Sequence, residues 1–135
     1  MEIGYANEAD AQFILDNDKH ISKQLVETKL KEKEILLARN QDRKIIGWLR
    51  FNYFWDNTPF MNMLYLDKAC RRRGIGKKLV SFWENDMRIK GYRLVMTSTL
   101  SDEQSQHFYR KLGYKDSGSL LFNDEPLEII FTKHI

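Results

Sequence analysis

Between Glu34 and Leu66 the apolar residues fall into three short runs, EILLARN, IIGWLRFNYFW and FMNMLYL, separated by the polar turns QDRK and DNTP. Runs of that length, rich in Ile, Leu, Phe and Tyr and bounded by turn residues, read as strands. The first two form an antiparallel hairpin, and the third is apolar enough to be a buried strand. On either side of this block the spacing becomes helical. Ala11, Ile14, Leu15, Ile21, Leu25, Val26 and Leu30 predict two helices within residues 8–33, with a break near DNDKH. Leu79, Phe82, Trp83, Met87 and Ile89 predict an amphipathic helix that starts at Ile75 and ends before Gly91.

The remaining segments complete an alternating order. EIGYA near the N-terminus and YRLVMTST after Gly91 read as strands. SDEQ has the form of a capping box, in which Ser101 accepts from a first-turn amide and Gln104 reaches back. The helix it opens ends at Gly113, a residue suited to a left-handed C-terminal position. SGSLLF and PLEIIFTKH, across the turn NDEP, are the last two strands. The expected order is β-α-α-β-β-β-α-β-α-β-β, an α/β or α+β chain with a mixed sheet. With 135 residues and no repeat, low-complexity tract or linker, a single domain over 1–135 is expected.

Charge and cysteine content narrow the function classes. Lys plus Arg exceeds Asp plus Glu by 22 to 19, a net +3, far below the excess of a dedicated nucleic-acid binder. The single cysteine, Cys70, forms no intrachain disulfide and no cysteine metal cluster, and His20, His107 and His134 show no ligand spacing. No apolar run reaches membrane-spanning length, and the acidic start MEIGYANEAD lacks the layout of a signal peptide. The expectation is a cytoplasmic chain without metal, membrane or nucleic-acid partners.

RRRGIGKKL, residues 71–79, lies between the strand FMNMLYL and the helix from Ile75. The first amides of a helix have no internal partner and lie at the positive end of its dipole, which makes an anion site. Gly74 and Gly76 remove Cβ atoms that would hold a pyrophosphate off the backbone, and five basic residues surround them. A solvated charge run and a plain glycine loop remain alternatives at this point. The stretch is not a Walker A loop, and G-x-G without a third glycine is a weak dinucleotide signal.

A second stretch, SQHFYRKLGY at residues 105–114, adds specificity. Together, LYLDKACRRRGIG and FYRKLGY resemble the GCN5-related N-acetyltransferase (GNAT) family, the first through an [Arg/Gln]-x-x-Gly-x-[Gly/Ala] signature on Arg71, Gly74 and Gly76. The resemblance implies a GNAT-like acyl-CoA N-acyltransferase fold: a central mixed sheet split into a V-shaped cleft and flanked by about four helices. It implies acetyl-CoA as co-substrate, an amine acceptor, and no metal. Carried over, the backbone of Leu64, Tyr65 and Leu66 pairs with the pantetheine arm, and the Leu66 amide stabilises the developing oxyanion. Arg71, Arg72, Arg73, Gly74, Ile75, Gly76 and Lys77 hold the pyrophosphate, the amides from Arg72 to Lys77 above all. Tyr109 matches the position of a general acid, which a phenol of pKa about 10 can serve because it stays protonated at neutral pH; read without the resemblance, it is a packed aromatic.

The match has departures. Asp102 stands where many members have an asparagine, and Phe60 stands where some have a glutamate base. Deprotonation then falls to water, to Asp56 or to Glu128, or is unnecessary for an amine that binds neutral. For the acceptor, the turn RFNYFWDNTPF offers Tyr53 and Trp55 to a cation or a ring and Asp56 to its charge, against the plainer alternative of cross-strand packing. A non-catalytic acyl-CoA sensor and, more remotely, a nucleic-acid-binding domain are the competing functions. A homodimer is expected from the family.

Overall fold

A seven-stranded sheet runs through the computed structural model, which describes all residues from Met1 to Ile135. Its strands are β1 (Glu2–Tyr5), β2 (Ile35–Arg39), β3 (Ile45–Phe54), β4 (Thr58–Leu66), β5 (Leu94–Leu100), β6 (Lys115–Leu120) and β7 (Glu128–His134), in the spatial order β1-β2-β3-β4-β5-β7-β6. Four helices accompany it: α1 (Ala11–Asn17), α2 (Lys23–Glu32), α3 (Ile75–Ile89) and α4 (Ser105–Lys111). The element order is the expected one. The sheet is mixed, because β4 and β5 are parallel while β1–β2, β2–β3, β5–β7 and β6–β7 are antiparallel.

The chain packs as two compact units, Met1–Phe51 with Met63–Phe82, and Asn52–Asn62 with Trp83–Ile135. Their border cuts through β3, β4 and α3 instead of falling in a linker. In the first unit, Ile14, Val26 and Leu30 from the helices pack with Ile35, Leu37 and Trp48 from the strands. Two ionic contacts tie the helices down. Lys29 Nζ donates to the carbonyl of Phe51 at 2.6 Å and to Glu34 at 3.1 Å, and Arg50 Nε donates to Asp18 at 2.9 Å. Such buried charges persist because each is paired.

In the second unit the end of α3 and the end of α4 use the same stop. Gly91, at φ 98°, lets Tyr92 N reach back to the Met87 carbonyl at 3.1 Å. Gly113, at φ 94°, lets Tyr114 N reach the Tyr109 carbonyl at 3.1 Å, with Gly113 N on the Arg110 carbonyl. Both are Schellman closures, which satisfy carbonyls that a helix end would leave bare. Buried Glu84 of α3 accepts from Tyr114 Oη at 2.7 Å and from Lys133 Nζ of β7 at 2.9 Å.

Three local expectations are corrected. SDEQ is not a capping box: α4 begins at Ser105, and Ser101 instead donates its amide to the Leu127 carbonyl at 2.7 Å and accepts at its own carbonyl from the Gln106 side chain. Contact with the β7 side holds these residues in a turn, out of the helix. The turn expected over DNTP is Trp55–Asn57, because Trp55 and Asp56 both adopt left-handed φ (55° and 62°) and close the hairpin early, so β4 includes Thr58 and Pro59. Finally, β6 lies two residues earlier than SGSLLF, since its register with β7 runs from Lys115↔Thr132 to Leu120↔Glu128 and leaves Leu121 and Phe122 outside the strand.

Candidate active site

The end of β4 lies unusually close to β3 at Gly47. A Cβ added to Gly47 of β3 would stand 2.7 Å from the carbonyl oxygen of Tyr65 and 2.5 Å from Leu66 Cδ2. Only a residue without a Cβ lets the Tyr65–Leu66 peptide approach β3 this closely. The peptide is trans, so the Leu66 N–H points opposite to that carbonyl, away from Gly47. The following peptide is held at both polar ends: Asp67 N donates to the Ile46 carbonyl at 2.9 Å, and Arg71 Nε donates to the Leu66 carbonyl at 3.0 Å.

Beyond β4 the chain makes a 3-10 turn over Lys68–Cys70 and then the glycine loop. Arg72 (φ 64°) and Gly74 (φ 78°) are both left-handed, which turns consecutive N–H groups toward one side. The first α3 hydrogen bond is Lys78 N to the Gly74 carbonyl at 3.0 Å. The amides of Ile75, Gly76 and Lys77 therefore precede the helical bonding pattern and lie at the positive end of a fifteen-residue helix. Arg72, Arg73, Gly74 and Lys77 are exposed, Ile75 is half-buried, and Gly76 is buried in the first turn. Nothing lies within 4 Å of a Cβ built on Gly74, so its glycine is required by φ and leaves open space beside the loop.

Tyr109, on the inner face of α4, is buried against Tyr114 and Phe131, with ring centroids at 5.8 and 6.0 Å. Burial pushes its phenol up to about 12, the charge of Glu103 adds to the rise, and Thr97 is its hydrogen-bond partner. Thr97 Oγ1 in turn donates to the Met61 carbonyl at 2.9 Å, and Met61 and Thr97 are partners in the parallel β4–β5 ladder. Thr97 therefore links Tyr109 to the β4 backbone. Sequence reasoning missed it, because its two partners lie 36 residues before it and 12 after it.

The structure gathers Leu64, Tyr65, Leu66 and the glycine loop around the end of β4, and places Tyr53, Trp55 and Asp56 at its beginning. Tyr53 packs on Tyr92 at 5.5 Å, and Trp55, 80% exposed, lies tilted against Phe54 at 4.6 Å. Phe60 pairs with Met96, and Asn62 donates to the Asn52 side chain at 2.6 Å. Asp102 is exposed in the turn before α4. No three His, Cys, Asp or Glu residues converge as a metal site would, and no helix is long and apolar enough to cross a membrane.

The sequence matches the acetyltransferase (GNAT) family over residues 5–114. The chain belongs to that family. A search of curated proteins finds no match. Among solved structures, the fold is similar to Ard1 from Thermoplasma volcanium (TM-score 0.83, 13% identity, 99% of this chain and 97% of that one). It is also similar to a ribosomal-protein-alanine N-acetyltransferase from Brucella melitensis (TM-score 0.81, 16% identity, 100% of both chains). A third similar structure is yncA, a putative acetyltransferase from Salmonella typhimurium with its cofactor acetyl-CoA (TM-score 0.80, 16% identity, 99% of this chain and 93% of that one). At these identities the likeness concerns the fold, which is the GNAT acyltransferase fold.

Proposed function

We propose that this GNAT acetyltransferase transfers the acetyl group of acetyl-CoA to a primary amine by direct attack. The observation that carries the reading is the junction at the end of β4. A strand end packed closely on Gly47 leads, through the turn at Lys68–Cys70, into a loop with two left-handed residues, and that loop opens the positive end of a long helix. A strand end of that kind can pair with an amide-bearing arm, and the loop amides can bind the pyrophosphate attached to it. The solved relative that holds acetyl-CoA supports the choice of donor.

In this reading the amine nitrogen attacks the thioester carbon, and negative charge builds on the carbonyl oxygen, where the Leu66 N–H donates to it. Collapse breaks the C–S bond. The electron pair leaves on sulfur, which takes the Tyr109 proton, and the nitrogen gives its extra proton to water. A phenol at about 12 donates to a free thiolate of pKa about 8.5 only uphill, by about 5 kcal/mol. Sulfur gains basicity only as the C–S bond breaks, so the Tyr109 proton moves late, once thiolate charge is nearly complete and while the cationic nitrogen is still present to favour the phenolate. Tyr53, Trp55 and Asp56, around the turn that precedes β4, are the candidates to receive the amine.

Calorimetric titration with acetyl-CoA, CoA and 3′-dephospho-CoA, followed by thiol release across a panel of amines, tests the reading. Saturable binding with a Kd near 1 μM corresponds to about −8 kcal/mol, and amine-dependent thiol release completes the case. Folded protein that binds none of the three ligands overturns it.

A further inference from the structure

The side chain of Arg71, the first residue of the glycine signature, turns away from the loop and back onto β4. Its Nε donates to the Leu66 carbonyl at 3.0 Å, and its guanidinium lies 5.7 Å from the centre of the Tyr65 ring. Tyr65 is stacked on Trp48 at 4.5 Å and 28°, so Tyr65 contacts both Trp48 and Arg71 at the end of the strand. The peptide between Leu66 and Asp67 is thereby held on both sides, by Arg71 at its oxygen and by Ile46 at its nitrogen. Holding that plane restricts ψ of Leu66, and through the shared Cα it restricts the direction of the Leu66 N–H.

We infer that Arg71 is a positioning residue that locks the end of β4, not one of the phosphate ligands of the loop. The inference rests on the acetyl-transfer reading for its kinetic consequence, but its structural content stands without it. Lysine is not an equivalent here. It keeps the charge yet lacks both the planar group that lies on Tyr65 and a donor at the Nε position.

Arg71→Lys and Arg71→Met separate the two roles. The ligands are acetyl-CoA and 3′-phospho-ADP, the nucleotide half of CoA, which reads the loop without the strand. Both variants are expected to bind 3′-phospho-ADP within threefold of wild type. Both are expected to lose tenfold or more in kcat, with KM for acetyl-CoA changed less than threefold. Lysine is expected not to rescue kcat. A tenfold loss of 3′-phospho-ADP affinity in Arg71→Met that Arg71→Lys restores, with kcat unchanged, overturns the inference in favour of a phosphate contact.

Hydrogen exchange in the free protein supplies a readout independent of turnover. The Asp67 amide is expected to exchange at least tenfold faster in both variants, with Tm within a few degrees of wild type. Unchanged exchange overturns the inference even if the wild type proves to transfer no acetyl group. Wild-type protein that binds no acetyl-CoA, beside variants with faster Asp67 exchange, counts against the transfer reading alone.

Discussion

The backbone carbonyl of Tyr109 accepts from the amide of Tyr114 at 3.1 Å, and their rings meet edge to face at 5.8 Å. The residue proposed as general acid is thus also a partner in the closure that ends its helix. Gly113 makes this possible by adopting φ 94°. A Cβ there would make only ordinary contact, 3.5 Å from Lys133 Cε, so substitution costs backbone strain and little clash. Gly113→Ala is expected to destabilise the protein by about 1–2 kcal/mol, read from urea melts. Gly113→Asn is expected to cost less, because asparagine tolerates the left-handed region. Equal losses for the two would contradict the account.

Tyr109→Phe separates chemistry from packing. The expected result is a fall in kcat of at least a hundredfold, the low end for general acid catalysis, with acetyl-CoA affinity within twofold of wild type. Because the phenol titrates at about 12, Tyr109 produces no alkaline limb in kcat below about pH 11. An alkaline limb near pH 9 that vanishes in Tyr109→Phe would refute this assignment.

The same burial makes stability depend on alkaline pH. An unfolded tyrosine titrates near 10 and Tyr109 at about 12, so between these values the native state holds the extra proton. Stability is then complete below pH 10 and falls as pH rises toward 12, by about 3 kcal/mol for this group. Tyr114 acts in the same direction, raised by burial first and then by the charge of Glu84. Urea melts between pH 8 and 11 should show the decline beginning near pH 10, with a shallower slope in Tyr114→Phe. A flat profile over that range would argue against both shifts.

Glu84 joins three segments through two hydrogen bonds, from Tyr114 at 2.7 Å and from Lys133 at 2.9 Å. Glu84→Ala strands a buried hydroxyl and a partly buried ammonium and is expected to cost about 3 kcal/mol. Glu84→Gln keeps an acceptor for Tyr114 and should cost roughly half as much, about 1.5 kcal/mol. Chemical denaturation of both variants checks the ratio.

Gly47→Ala forces backbone to move, since the nearest atoms include the Tyr65 carbonyl at 2.7 Å. A loss of about 1–3 kcal/mol is expected for that overpacking. Acetyl transfer should fall further than stability explains, because the displaced peptide carries the Leu66 N–H. Wild-type kcat in a destabilised Gly47→Ala would separate the strand end from catalysis.

What the sequence determined by itself is what neighbouring residues decide among themselves. Period and turn chemistry marked every strand and helix in order. The left-handed stops at Gly91 and Gly113 and the loop before Ile75 are equally local, because each depends on a few dihedral angles and on amides close in the chain. Gly47, inside the strand run IIGWL, also carried a legible signal, since a strand glycine often marks a close backbone approach. Tertiary structure decided the rest. Ser101 lost its capping role to a contact with Leu127, and the β6 boundaries followed the β7 register. Arg71 gave its Nε to the Leu66 carbonyl, and Tyr109 was buried beside Thr97, which itself reaches Met61. These outcomes turn on which strand lies beside which, and on how completely water is removed from a side chain. Both are properties of the packed sheet and of no single segment of it.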